Sequence, residues 1–180
     1  MQEKTLLEKA RQFDETALAE IYDSYSSAIY RYAYRLLGDV DKAEECVSET
    51  FYRFLNALKK EKGAQMNLKA YLYRIAHNWI TDQFRHQPQP YLELNENYAQ
   101  EEEENPSTKA IANIEQEQIR AIICKLTPDQ QQVIMLKYLE DMNNEEVSQI
   151  MKKPVGAVKS LQHRALTNLQ RILSRAEVVI

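Results

Sequence analysis

Apolar residues recur along this chain at intervals of three and four, and the pattern predicts helices throughout. From about Asp14 to Leu37, Leu18, Ile21, Tyr22, Tyr25, Ile29, Tyr32 and Leu36 share one helical face, and Gly38 is placed to end the run. A second stripe, from about Asp39 to Lys59, comprises Ala43, Cys46, Val47, Thr50, Phe51, Phe54 and Leu58. A polar loop over Lys59–Gln65 separates it from a third helix, about Asn67 to Arg85, with Leu68, Leu72, Ile75, Ala76 and Trp79 as its core face. Three or four helices are therefore expected before residue 86. Further on, about Ser107 to Lys125 reads as helix and leads into Leu126-Thr127-Pro128-Asp129-Gln130. There Thr127 is a suitable N-cap, Pro128 suits the first helical position and Gln130 completes a capping box. Val133, Ile134, Leu136 and Leu139 follow, and Asp141–Asn144 turns the chain.

The C-terminal pattern is the most specific. Residues 145–160 read as two short helices joined by a tight turn, the second running on to about Arg175. Its expected buried stripe is Val158, Leu161, Ala165, Leu166, Leu169, Ile172 and Leu173, while Lys159, Ser160, His163, Arg164, Thr167 and Arg171 point the other way. Met151 to Arg175 holds six Lys or Arg and no Asp or Glu. An apolar back and a cationic, hydrogen-bonding front suit the second helix of a helix-turn-helix in a DNA groove.

Composition sharpens this picture without redirecting it. Three glycines in 180 residues and no alternating apolar runs favour an all-α chain with room for one ordinary domain or two small ones. The net charge of −4 is concentrated in the middle: residues 86–112 carry one Lys against six Glu, whereas residues 1–85 balance at 13 basic and 13 acidic. Prolines at 88, 90 and 106 and the Glu101–Glu104 run make that segment a linker. No apolar stretch approaches the roughly 20 residues that span a bilayer, and the polar start lacks a signal-peptide core, so cytoplasmic placement without membrane insertion is expected. Cys46 and Cys124 sit at apolar helix positions and read as small hydrophobes, with no metal role.

Two surfaces remain once the cores are assigned. Asp41, Glu45, Glu49 and Tyr52 lie opposite the stripe of the second helix, with Glu44 on its flank. No His, nucleophile or Gly-rich loop accompanies them, so they do not read as catalytic carboxylates, and no catalytic residue or cofactor is expected. On the third helix Tyr73, Arg74, His77, Thr81, Phe84 and Arg85 are expected opposite the core, with Asn78 beside them. Cations for phosphates, flat rings for unstacked bases and amides for base edges suit a nucleic-acid surface.

In series these segments resemble a known family. Residues 29–39 (IYRYAYRLLGD) resemble region 2 of the bacterial extracytoplasmic-function (ECF) sigma factors, within the sigma-70 family. Residues 41–51 (DKAEECVSETF) are similar to its D-A-E-D-L-V-Q-E-T-F signature, and residues 70–78 (AYLYRIAHN) to its W-L-Y-R-I-A-R-N segment. Leu126–Gln130 through Pro154–Ser160 and His163-Arg164-Ala165 are similar to region 4. The chain departs from the pattern at Tyr71, His77, Ala157 and Leu161-Gln162, the last removing a cation.

The resemblance implies a region 2 domain over residues 1–86, an acidic flexible linker over 87–112 and a region 4 domain over 113–180. Asp41, Glu44, Glu45, Glu49, Thr50 and Phe51 would dock on core RNA polymerase. Tyr73, Arg74, His77, Asn78, Thr81 and Arg85, with the loop before them, would open and read the minus-ten promoter element. Lys153, Val155, Gly156, Ala157, Lys159, Ser160, His163 and Arg164 would read the minus-thirty-five element of duplex promoter DNA. An anti-sigma factor is the further partner it implies. The residues also leave open a stand-alone helix-turn-helix regulator whose N-terminal domain senses or dimerises; such a regulator needs neither the acidic helix nor the third-helix surface. A purely helical adaptor would leave the basic helix unexplained.

Overall fold

A computed structural model describes residues 2–60, 67–86 and 117–177. The first helix, α1 (Gln2–Arg11), ends in a turn at Phe13, which takes a positive φ of 58°. Asp14 then caps α2 (Glu15–Leu37) by accepting from the Ala17 N–H at 2.8 Å. Gly38 ends α2 in the left-handed conformation (φ 67°), and its N–H satisfies the Tyr34 carbonyl at 2.7 Å. Asp39 caps α3 (Val40–Lys59) through the Lys42 N–H at 3.0 Å. Asn67 does the same for α4 (Leu68–His86), accepting from the Ala70 N–H at 2.7 Å.

These helices pack because their stripes meet. Ile21, Ile29, Tyr32 and Leu36 of α2, Cys46, Phe54 and Leu58 of α3, and Leu68, Leu72 and Ile80 of α4 are buried together. Tyr32 meets Tyr73 edge-on at 5.3 Å between ring centres, a favoured aromatic geometry.

The second half begins with helix α5, described over residues 117–123, and continues into α6 (Pro128–Ile134). The Thr127–Gln130 capping box expected from sequence is formed, with both side chains bonded to backbone N–H groups at 3.4 and 3.5 Å. The chain then widens into a π-helical turn over Met135–Leu139, closed by the Glu140 N–H on the Met135 carbonyl at 3.0 Å. Nothing in the apolar spacing announces that turn. Beyond it Asp141 takes a positive φ, and Asn143 and Glu146 form a second capping box at the start of α7 (Asn144–Met151).

Lys152, in left-handed conformation (φ 53°), makes the tight turn, and α8 runs over Val155–Glu177. Val133, Leu136, Val147, Ile150, Val158, Leu161 and Ala165 form the core of this half. The stripe expected on α8 is buried only as far as Ala165. Leu169 and Ile172 are half-covered, while Leu166 and Leu173 stand 36% and 45% exposed, because α6 and α7 end before the helix does. The part of the linker helix expected from Ser107, and most of the Lys59–Gln65 loop, lie outside the described residues.

The two halves touch. Helix α7 packs along α4, so the buried cluster runs continuously from one half into the other.

Candidate nucleic-acid interface

Helix α3 carries one of the surfaces read from sequence. Its stripe faces inward as expected, and Asp41, Glu44 and Glu45 are exposed on the opposite side. Glu49 is half-buried and accepts from the Arg53 guanidinium at 2.6 Å. Thr50 and Phe51 do not join that surface. Thr50 is wholly buried beside Cys46, and Phe51 packs against Tyr22 at 4.8 Å between ring centres. Both lie on the inward side of the helical period, so they fix how α3 seats on its neighbours. The Cys46 thiol is pushed up to about 12, chiefly by burial, with the Thr50 hydrogen bond opposing. Tyr52, 63% exposed, and Leu55 stand on the outer surface of the same helix. Leu55 is an apolar residue off the buried stripe of α3.

Helix α4 differs more from expectation. Arg85 is exposed, 3.7 Å from Asp82, and Arg74, Asn78 and Thr81 are half-buried. Tyr73 is fully buried and His77 only 7% exposed. The sequence pattern put both opposite the core; the Tyr73 ring instead packs against Tyr32 of α2 with its hydroxyl on Glu140, and His77 lies near Asp129, Lys152 and Lys153 of the C-terminal half, a neighbour that helical periodicity cannot reveal. The Tyr73 hydroxyl donates to the Glu140 carboxylate, and burial together with that carboxylate raises its pKa. His77 is held down to about 4, mainly by burial; Asp129 opposes that shift, while Lys153 and Lys152 add to it.

The start of α8 is open. Gly156, Ala157, Lys159, Ser160, His163 and Arg164 are exposed, and Val155 is half-buried. A Cβ built on Gly156 would meet nothing within 4 Å. The first turn of the helix, whose leading N–H groups have no partner within the helix, is thus open to solvent within a turn of Lys159, an arrangement suited to phosphate. Lys153 is different: it is half-buried and pairs with Asp129 at 3.2 Å, tying the turn to α6. The Ser148 hydroxyl fastens the same turn by donating to the Lys153 carbonyl at 2.5 Å. Behind the exposed face, Asn168 donates to Gln130 at 3.1 Å and Gln162 to the Tyr138 hydroxyl at 2.6 Å, fixing the rotation of α8 about its axis.

Among the described residues, no group of three or more His, Cys, Asp or Glu could hold a metal ion. No described helix is long and apolar enough to cross a membrane.

Known proteins share this layout. Residues 21–88 match the family described as sigma-70 region 2, and residues 116–169 the one described as sigma-70 region 4. The ECF RNA polymerase sigma factor SigW of Bacillus subtilis is 31% identical over 182 residues, covering 94% of this chain and 96% of that protein. BldN, an ECF sigma factor of Streptomyces coelicolor, is 31% identical over 171 residues, and the chain spans 64% of its length. Among solved structures, CnrH in complex with the cytosolic domain of CnrY shares the fold, with a TM-score of 0.75 at 19% identity over 96% of this chain and 97% of that one. Both domain matches fall in the order read from sequence, and the SigW likeness runs the length of both proteins. The chain belongs to the ECF RNA polymerase sigma factors, a family of promoter-specific transcription initiation factors that act with RNA polymerase.

Proposed function

We propose that the chain joins core RNA polymerase through the exposed carboxylates of α3 and places it on promoters with two DNA-reading surfaces. Asp41, Glu44, Glu45 and Glu49 make the polymerase contact, with Thr50 and Phe51 seating the helix that presents them. Tyr73, Arg74, His77, Asn78, Thr81 and Arg85 of α4 capture the melted minus-ten element, exchanging base stacking in DNA for stacking and hydrogen bonds on protein. Val155, Gly156, Ala157, Lys159, Ser160, His163 and Arg164 read the minus-thirty-five element from the major groove, and Lys153 braces the turn behind them. Residues 1–86 and 113–180 form the two domains, joined by the acidic linker at 87–112.

The observation that carries this reading is one juxtaposition. An exposed acidic face on α3 and an open cationic helix start on α8 lie in a chain that matches SigW over 94% of its length. The chain has no enzymatic activity of its own in this scheme, since the polymerase performs the chemistry, and it works in the cytoplasm with that enzyme. An anti-sigma factor is its regulatory partner; the RpoE structure from Bartonella quintana, which shares the fold at a TM-score of 0.64, holds one of that class, NepR.

Run-off transcription with core polymerase over a random promoter library tests the reading. Transcripts should require the added chain and converge on promoters with two common elements. Arg164→Ala should weaken mainly the templates that carry the upstream element. Equal loss on templates without that element would sink the assignment of α8.

A further inference from the structure

Helix α8 must present its DNA-facing side chains at one angle about its own axis, and its apolar packing holds that angle loosely. The buried side chains are Val158, Leu161 and Ala165; beyond them Leu169 and Ile172 are half-covered and Leu173 is exposed. Apolar burial is non-directional, so a stripe this short fixes where the helix sits more firmly than how far it is rolled.

Two polar contacts supply the missing direction. At about 100° per residue, Gln162 and Asn168 fall about 60° to either side of the buried stripe. The Gln162 amide donates to the Tyr138 hydroxyl at 2.6 Å, and the Asn168 amide donates to Gln130 Oε1 at 3.1 Å. Their anchors are themselves fixed. Gln130 Oε1 also accepts from the Thr127 N–H in the capping box of α6, and Tyr138 lies in the π-helical turn over Met135–Leu139. A roll in either direction stretches one contact and compresses the other. Gln162 is also one of the positions where the chain departs from the family pattern, so its contact is a trait of this chain.

Opposite the buried stripe, Ser160 and His163 are exposed. A roll of about 15° carries a side-chain tip about 6 Å from the axis through about 1.5 Å. Hydrogen bonds to base edges need donor and acceptor within a window of about 0.5 Å. Long cations such as Lys159 can follow a phosphate through that displacement, whereas base contacts are lost.

We propose that Tyr138 and Gln162 determine promoter specificity as positioning residues: their hydrogen bond, opposed by that between Asn168 and Gln130, sets the roll of α8 and so the base edges that Ser160 and His163 meet in the minus-thirty-five element. Both act through the helix and not by touching DNA. The inference rests on the assignment of α8 made above.

Run-off transcription with core polymerase and the full-length chain, over templates randomised in both promoter elements, reads the base preference at each position. Tyr138→Phe removes one hydroxyl, Gln162→Leu removes the amide at nearly constant volume, and the double variant removes both. Each single variant should lower the preference for the favoured base at two or more upstream positions by at least about threefold. The double variant should lose no more than either single one, because the two groups form one contact. Preferences in the minus-ten element should stay as in wild type, and melting temperatures should stay within about 4 °C of it.

Unchanged upstream preferences in Tyr138→Phe would overturn the proposal. Losses that multiply in the double variant would do the same, since they mark two separate DNA contacts. So would a uniform fall in transcription with every preference intact, the signature of a lost phosphate contact or of damaged folding. Arg164→Ala separates this inference from the reading beneath it. If that variant weakens upstream-dependent templates while Tyr138→Phe changes nothing, α8 reads DNA and the positioning role fails. If neither variant affects those templates, the assignment of α8 fails and takes the inference with it.

Discussion

His77 shows how a residue can be legible in identity and illegible in place. Its spacing on α4 marks it as a polar position opposite Leu72, Ala76 and Trp79, yet it is buried by helices more than 50 residues away in sequence. Burial favours the neutral imidazole, so its pKa falls to about 4 in the folded chain from the 6.5 of an exposed histidine. A depressed pKa means the unfolded chain takes up the proton first as pH falls. The histidine's contribution is therefore fully present above about pH 6.5 and is lost progressively down to about pH 4, by about 3 kcal/mol at most. Urea unfolding at pH 7 and pH 4.5 should show wild type losing about 2 kcal/mol more than His77→Gln over that interval. Identical losses would place His77 in contact with water. The caps, by contrast, were readable because they are local: Thr127 and Gln130 satisfy each other within one turn, and Gly38 is the residue that adopts a positive φ most cheaply.

Among elements, α8 divides at about Ala165. Up to that point its apolar stripe fits α6 and α7; beyond it the same spacing continues with Leu166 and Leu173 largely uncovered. Periodicity reports which residues share a face, not whether another element is long enough to cover that face. Leu161→Ala should cost about 2–4 kcal/mol, because it opens a cavity against the core of the C-terminal half. Leu173→Ala should stay within about 0.5 kcal/mol of wild type. Thermal melts of the two variants separate the cases, and similar losses would mean the distal turns of α8 are covered in solution. The π-helical turn over Met135–Leu139 is the other element the spacing did not disclose. Its extra residue per turn leaves Tyr138 and Leu139 outward while Glu140 faces α4, so the irregularity places the residue on which the two halves converge.

At the scale of the whole molecule, charge is partitioned. The net charge of −4 would oppose DNA binding if it were spread evenly, but α8 carries no acidic residue before Glu177, while α3 presents Asp41, Glu44 and Glu45 to solvent. One surface repels DNA and the other attracts it, so two different macromolecules can be held without competition. Neither DNA surface needs to bind strongly alone, because docking on polymerase raises the effective concentration of both. On the docking role proposed for α3, the acidic helix governs all promoter contacts without itself touching DNA. Glu45→Lys with Glu49→Lys should therefore abolish retention on core polymerase and reduce run-off transcription on every template by at least about tenfold. Stability should change by less than about 1 kcal/mol, since Glu45 is exposed and Glu49 loses only a surface ion pair with Arg53. In binding assays without polymerase the double variant should hold duplex promoter DNA as well as wild type. Undiminished retention on polymerase would remove α3 from the docking surface, and lost DNA binding without polymerase would show that the two surfaces are not separate.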